Sequence, residues 1–84
     1  MKVIIVGAGE VGFHIASHLA LENKDVVVID NNPEAIRRVS DNLDVQVVTG
    51  SGSSPVILEE AGIQTAEIIL AVTNSDETNL VACT

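Results

Sequence analysis

Three glycines, Gly7, Gly9 and Gly12, stand in G-x-G-x-x-G spacing within the first dozen residues, and an acid, Asp30, follows Gly12 by 18 positions. The chemistry this spacing serves is the holding of a pyrophosphate, in which each glycine has its own task. Gly7 permits the tight turn from strand to helix. Gly9 lets the backbone approach the anion, and Gly12 lets the helix pack close to the strand. The helix that begins near Glu10 aims its free N–H groups and positive dipole end at the same place. Asp30 lies close to the roughly 20-residue offset of a carboxylate that receives ribose hydroxyls. The pattern therefore points to a dinucleotide.

The elements that must position these residues can be read around them. Val3-Ile4-Ile5-Val6 and Val26-Val27-Val28-Ile29 are short β-branched runs of the kind buried on both faces of a parallel sheet. Between them, Glu10 to about Glu22 reads as a helix with Val11, Ile15 and Leu19 as its apolar stripe and Gly12 and Ala16 beside it. Phe13, Ala20 and Leu21 fall outside that stripe. Asn32 as N-cap, Pro33 at the first helical position and Glu34 in the first turn open a second helix to about Asn42. Arg37 and Arg38 on this helix are read as residues suited to its dipole rather than as nucleotide ligands. A third strand is expected at Val45–Val48. After the loop Thr49-Gly50-Ser51-Gly52-Ser53, Ser54 is expected to cap a helix that Pro55 opens and Gly62 stops. A fourth strand follows at Ile68–Val72, and a further helix starts in Thr73-Asn74-Ser75-Asp76-Glu77.

The order β-α-β-α-β-α-β-α predicts an α/β, Rossmann-like parallel sheet with strand order 3-2-1-4, truncated before the last two strands of the full topology. The 84 residues are expected to be one nucleotide-binding lobe, a fragment of a longer protein. Hydrophobic residues make up 46% with Phe13 the single aromatic, so Val, Ile, Leu and Ala must build the core.

The net charge of −8 argues against nucleic acid or an anionic membrane as partner. All four bases, Lys2, Lys24, Arg37 and Arg38, precede Val39, and seven acids follow it. Cys83 is a lone cysteine, and no apolar run approaches the roughly 20 residues of a membrane span, so a cytoplasmic domain without direct membrane insertion is expected. His14 and His18 have the i, i+4 spacing of two imidazole metal ligands, but no further ligand pattern accompanies them, and they are read as solvent-facing.

Gly7-Ala8-Gly9-Glu10-Val11-Gly12, Val28-Ile29-Asp30, Gly50-Ser51-Gly52-Ser53-Ser54-Pro55, Leu58-Glu59-Glu60-Ala61-Gly62 and Ala71-Val72-Thr73-Asn74-Ser75-Asp76-Glu77-Thr78-Asn79 follow one another in register. Together they resemble the RCK or KTN (TrkA-N) family, the N-terminal nucleotide-binding domains of peripheral regulatory subunits in Trk potassium-uptake systems. The glycine motif is shared with many oxidoreductases, and the last two motifs separate this family from them. The resemblance implies binding of NAD(H), with ATP or ADP in some relatives. It also implies assembly as a homodimer or larger ring on the cytoplasmic face of a membrane-embedded potassium transporter or channel, with nucleotide state biasing opening. Carried over by residue, it implies backbone contacts to the pyrophosphate from Gly7, Gly9, Glu10 and Val11. Asp30 takes the adenosine ribose with Asn31 beside it, Gly50 and Ser51 border the adenine, and Val72 and Thr73 face the nicotinamide half. The cofactor-binding set thus reads Gly7, Gly9, Glu10, Val11, Gly12, Asp30, Asn31, Gly50, Ser51, Val72 and Thr73, with no catalytic and no metal-binding residue. Many relatives carry Arg where Glu10 stands and an acid where Ser51 stands. The alternative is the cofactor-binding fragment of an NAD-dependent dehydrogenase. That class needs acid–base groups near the nicotinamide, and the chain has no Tyr and only Lys2 and Lys24 as lysines.

Overall fold

The β-branched runs become strands and the periodic stretches between them become helices. The computed structural model describes residues 1–72. In order it comprises β1 (Lys2–Val6), α1 (Glu10–Leu21), β2 (Asp25–Asp30), α2 (Pro33–Asn42), β3 (Gln46–Thr49), α3 (Pro55–Ala61), a 3-10 turn (Ile63–Thr65) and β4 (Ile68–Ala71). The four strands form one sheet in the order β3-β2-β1-β4. Every neighbouring pair is parallel, with Ile4 opposite Val27 and Ile69, and Val28 opposite Val47. This is the expected α/β, Rossmann-like arrangement. Thr73 and the helix expected after it lie outside the described residues.

Alternation along the strands divides the core in two. Val3, Ile5, Val26 and Val28 face α1 and α2, where they meet Ala8, Ala16, Ile36 and Val39. Ile4, Val27 and Ile29 face the other way, toward Ala61 with Ile57 and Leu58 of α3. Ile4, Ile5, Val28, Ile29 and Val39 are fully buried, so both central strands are dry on both faces. Such strands need no polar alternation, which is why the sequence runs are continuously apolar.

Two helices begin with proline. Asn32 caps α2, its Oδ1 accepting from the Glu34 N–H at 3.0 Å. At α3, Ser54 has N-cap backbone geometry, but its hydroxyl makes no bond to the first turn, contrary to expectation; its carbonyl accepts from the Leu58 N–H at 3.0 Å. Gly62 ends α3 in the left-handed conformation with φ 86°.

The face of α1 differs from the expected stripe. Gly12 and Ala16 are the buried positions, Ile15 and Leu19 are partly buried, and Val11 is 53% exposed. A Cβ on Gly12 would collide with the Gly7 carbonyl. The helix therefore turns Gly12 onto the strand-to-helix turn, and Val11, about 100° round the axis, swings toward solvent. Phe13, expected outside the stripe, is partly buried against the α1/α2 side of the core. Strand β3 is shifted by one residue from Val45–Val48, and β2 begins one residue before Val26.

Candidate functional site

The C-terminal ends of all four strands surround one cleft of about 370 Å³, within the size range of small-molecule sites. Its floor is closed by backbone bonds that continue the ladders beyond the strands. The Gly7 N–H donates to the Ile29 carbonyl at 2.7 Å, the Gly50 N–H to Asp30 at 2.9 Å, and the Val72 N–H to Val6 at 2.8 Å. The cleft thus lies where β1 separates the crossover to β2 from the crossover to β4. In open parallel sheets this is the switch point at which ligands collect.

The glycine turn forms one wall. Gly7 has φ 124°, a conformation closed to most side chains. Gly9 lines the cleft and is the N-cap of α1 in extended geometry, with its carbonyl accepting from the Phe13 N–H at 2.8 Å. Among the described residues no acceptor meets the N–H groups of Glu10, Val11 or Gly12. Those donors are the ordinary orphans of a helix start. Glu10 and Val11 have exposed side chains and do not line the cleft; what they can offer is backbone. Gly12 does not line it either, because its place is the contact with Gly7.

Among the described residues lining the cleft, Asp30 is the sole ionisable one, and none is a base. Half-buried at the end of β2, it ties two walls together. Its Oδ2 accepts from the Ala8 N–H at 2.7 Å and its Oδ1 from the Asn32 N–H at 2.8 Å. The Ala8 donor in the glycine turn is therefore spent inside the protein. A carboxylate has about four acceptor positions, so each oxygen keeps capacity toward the cleft.

The loop after β3 forms the opposite wall through Gly50, Ser51 and Gly52. The Ser51 Oγ lies 2.8 Å from the Ser53 Oγ and also accepts from the Ser53 N–H at 3.3 Å, which folds the loop on itself. Of the residues read from sequence, Gly7, Gly9, Asp30, Asn31, Gly50, Ser51 and Val72 come together here, and Thr73 lies outside the described residues. The lining also includes Val6, Ile29, Asn32, Ala35 and Gly52, which sequence reasoning left out. Gly52 carried a usable signal, a second glycine in a hydroxyl-rich loop. A Cβ there would strike the Val6 side chain.

Outside the cleft, Arg38 reaches across from α2 to α1. Its Nη1 lies 2.9 Å from the Glu10 carboxylate, and its guanidinium carbon stands 4.5 Å from the Phe13 ring centroid. Arg37 pairs instead with Asp41 at 3.9 Å. Both bases thus sit in the middle of α2 with acidic partners, and neither is in its last turn. His14 and His18 are exposed, and the His14 Nε2 stands 3.8 Å from Glu10. Among the described residues no group of three or more His, Cys, Asp or Glu is arranged to hold a metal. No helix among them is long and apolar enough to cross a membrane.

Residues 3–84 match the TrkA-N domain family. The chain is 49% identical over 83 residues to the Trk system potassium uptake protein TrkA of Vibrio alginolyticus. It is 52% identical to that of Azorhizobium caulinodans and 46% to that of Halomonas elongata, again over 83 residues. Each comparison covers 99% of this chain but 18% of the relative, so the chain spans less than a fifth of their length. With its 3-2-1-4 sheet and glycine turn, the chain belongs to the TrkA-N family.

Proposed function

We propose that this chain is a non-catalytic NAD(H)-binding regulatory domain of a potassium-uptake system, in which nucleotide binding is coupled to gating. The observation that carries the reading is the Asp30 carboxylate at the mouth of a glycine-walled cleft, beside a helix start whose first donors lack protein acceptors. The residues present fit a dinucleotide. The pyrophosphate would meet the backbone of Gly7, Gly9, Glu10 and Val11, with Gly12 holding the helix against the turn. Asp30 and Asn31 would take the adenosine ribose, Gly50 and Ser51 the adenine edge, and Val72 and Thr73 the nicotinamide half. ATP or ADP would use the same phosphate and ribose positions.

The relatives' names as Trk system potassium uptake proteins support a membrane-embedded potassium transporter as the partner of the whole protein. On this reading the domain works in the cytoplasm, at the inner face of the membrane, as a homodimer or larger ring. It is the N-terminal lobe of a longer subunit. Its role is to bind, hold and release nucleotide, and the chemistry of the nicotinamide is not used.

NADH titration followed by nucleotide fluorescence tests this. Saturable binding is expected, with the bound NADH chemically unchanged over hours. Steady NADH oxidation with a simple carbonyl compound would move the domain to the dehydrogenase class, and absence of saturable binding would end the NAD(H) reading.

A further inference from the structure

We propose that Arg38 is a positioning residue for the anion-binding end of the cleft, holding the Glu10 carboxylate away from an incoming phosphate and cancelling its charge. The inference rests on the nucleotide reading above. A dinucleotide brings negative charge to a cleft whose ionisable lining, among the described residues, is one carboxylate, Asp30, with no base beside it. A second carboxylate, Glu10, stands on the first residue of α1, where the helix N–H groups are offered to the anion. A carboxylate there is attracted by the same donors and competes for them.

Arg38 answers both difficulties. Its Nη1 holds the Glu10 Oε1 at 2.9 Å, drawing the side chain across to α2, and Glu10 does not line the cleft. The guanidinium is itself fixed over the ring of Phe13, 4.5 Å from the centroid, and Phe13 packs against the core. A cation stacked on an aromatic face is held in place as well as attracted. Exposed ion pairs add little to stability, and Glu10 and Arg38 side chains are 72% and 49% exposed. The value of this pair is electrostatic order at the helix start.

The test compares NADH with adenosine, which lacks phosphate, on the full chain carrying Arg38→Gln, Arg38→Lys, Glu10→Gln or Arg38→Gln with Glu10→Gln. At low salt, Arg38→Gln should weaken NADH by about two- to fivefold, the scale of one charge at a helix end, and leave adenosine unchanged. Adding Glu10→Gln should restore NADH affinity, and Arg38→Lys, which keeps the charge but loses the planar group stacked on Phe13, should fall between wild type and Arg38→Gln. A wild type that binds NADH while Arg38→Gln binds it equally well overturns the proposal. So does equal weakening of adenosine, which marks a merely structural pair, or failure of Glu10→Gln to rescue. A wild type that binds no NADH removes the NAD(H) reading, and this proposal with it.

Discussion

Replacing Asp30 with Ala removes two acceptors at once, and the structure sets the size of the loss. The carboxylate receives the Ala8 N–H at 2.7 Å and the Asn32 N–H at 2.8 Å. Hydrogen bonds to a charged group contribute about 1.5–3 kcal/mol each. The Asn32 side is exposed to water, which can replace the lost acceptor, so its share belongs at the low end. Ala8 is 1% exposed, so its N–H would be left without an acceptor in a dry position. A loss of about 3 kcal/mol follows, a large part of the roughly 5–15 kcal/mol that holds a domain together. Asp30→Asn should lose about half as much, since one amide oxygen can still accept while the NH2 faces a second donor. The same carboxylate, on the proposed function, receives the ribose hydroxyls of NADH. Asp30→Asn should then weaken NADH about tenfold or more and NADPH less, because a 2′-phosphate no longer faces a carboxylate. Urea unfolding measures the first effect, and paired NADH and NADPH titrations below the unfolding transition measure the second. Unchanged stability would refute the strut between the two walls. An unchanged NADH-to-NADPH ratio would refute the selector.

Two further substitutions test the elements that frame the cleft. Gly12→Ala places a Cβ against the Gly7 carbonyl, a backbone group that cannot rotate away; overpacking of this kind costs about 1–3 kcal/mol, and the urea midpoint should fall accordingly. Asn32→Ala removes the cap on the Glu34 N–H and should cost about 0.5–2 kcal/mol, seen as a lower midpoint with an unchanged denaturant slope.

The strand order was legible because the glycine motif fixes what precedes and follows it: a buried strand, a tight turn and a helix start. The doubly buried strands β1 and β2 were equally plain, since no polar residue interrupts Val3–Val6 or Val26–Ile29. What pattern alone missed was rotation. Val11, Ile15 and Leu19 make a good apolar stripe on paper, yet Gly12 sets the helix face because backbone approaches backbone there. Small residues at the point of contact carry no hydrophobic signal, so counting apolar positions rightly puts Ile15 and Leu19 against the core but wrongly puts Val11 there. The Arg38–Glu10–Phe13 cluster was likewise invisible, as it joins residues 28 positions apart on different helices. Asn32 was read as a cap from its neighbours Pro33 and Glu34, but its place in the cleft depends on how β2 ends relative to β3. Asp30 was expected as a ribose ligand, and that reading did not include its bonds to the Ala8 and Asn32 N–H groups, which tie the glycine turn to the end of β2.

The three backbone rungs beneath the cleft, at Gly7, Gly50 and Val72, lie at strand ends, where sheets begin to fray. Any occupant that bridges the glycine turn, the end of β2 and the loop after β3 therefore acts as a clasp on the sheet itself. At a free concentration one hundred times its dissociation constant, such an occupant raises the cost of opening by about 2.7 kcal/mol. The amide protons of these residues should accordingly slow in their exchange with solvent together, as one cooperative unit. Occupancy would then be felt at the outer strands β3 and β4 without any rearrangement of the core, as a change in how often the edges of the sheet come undone.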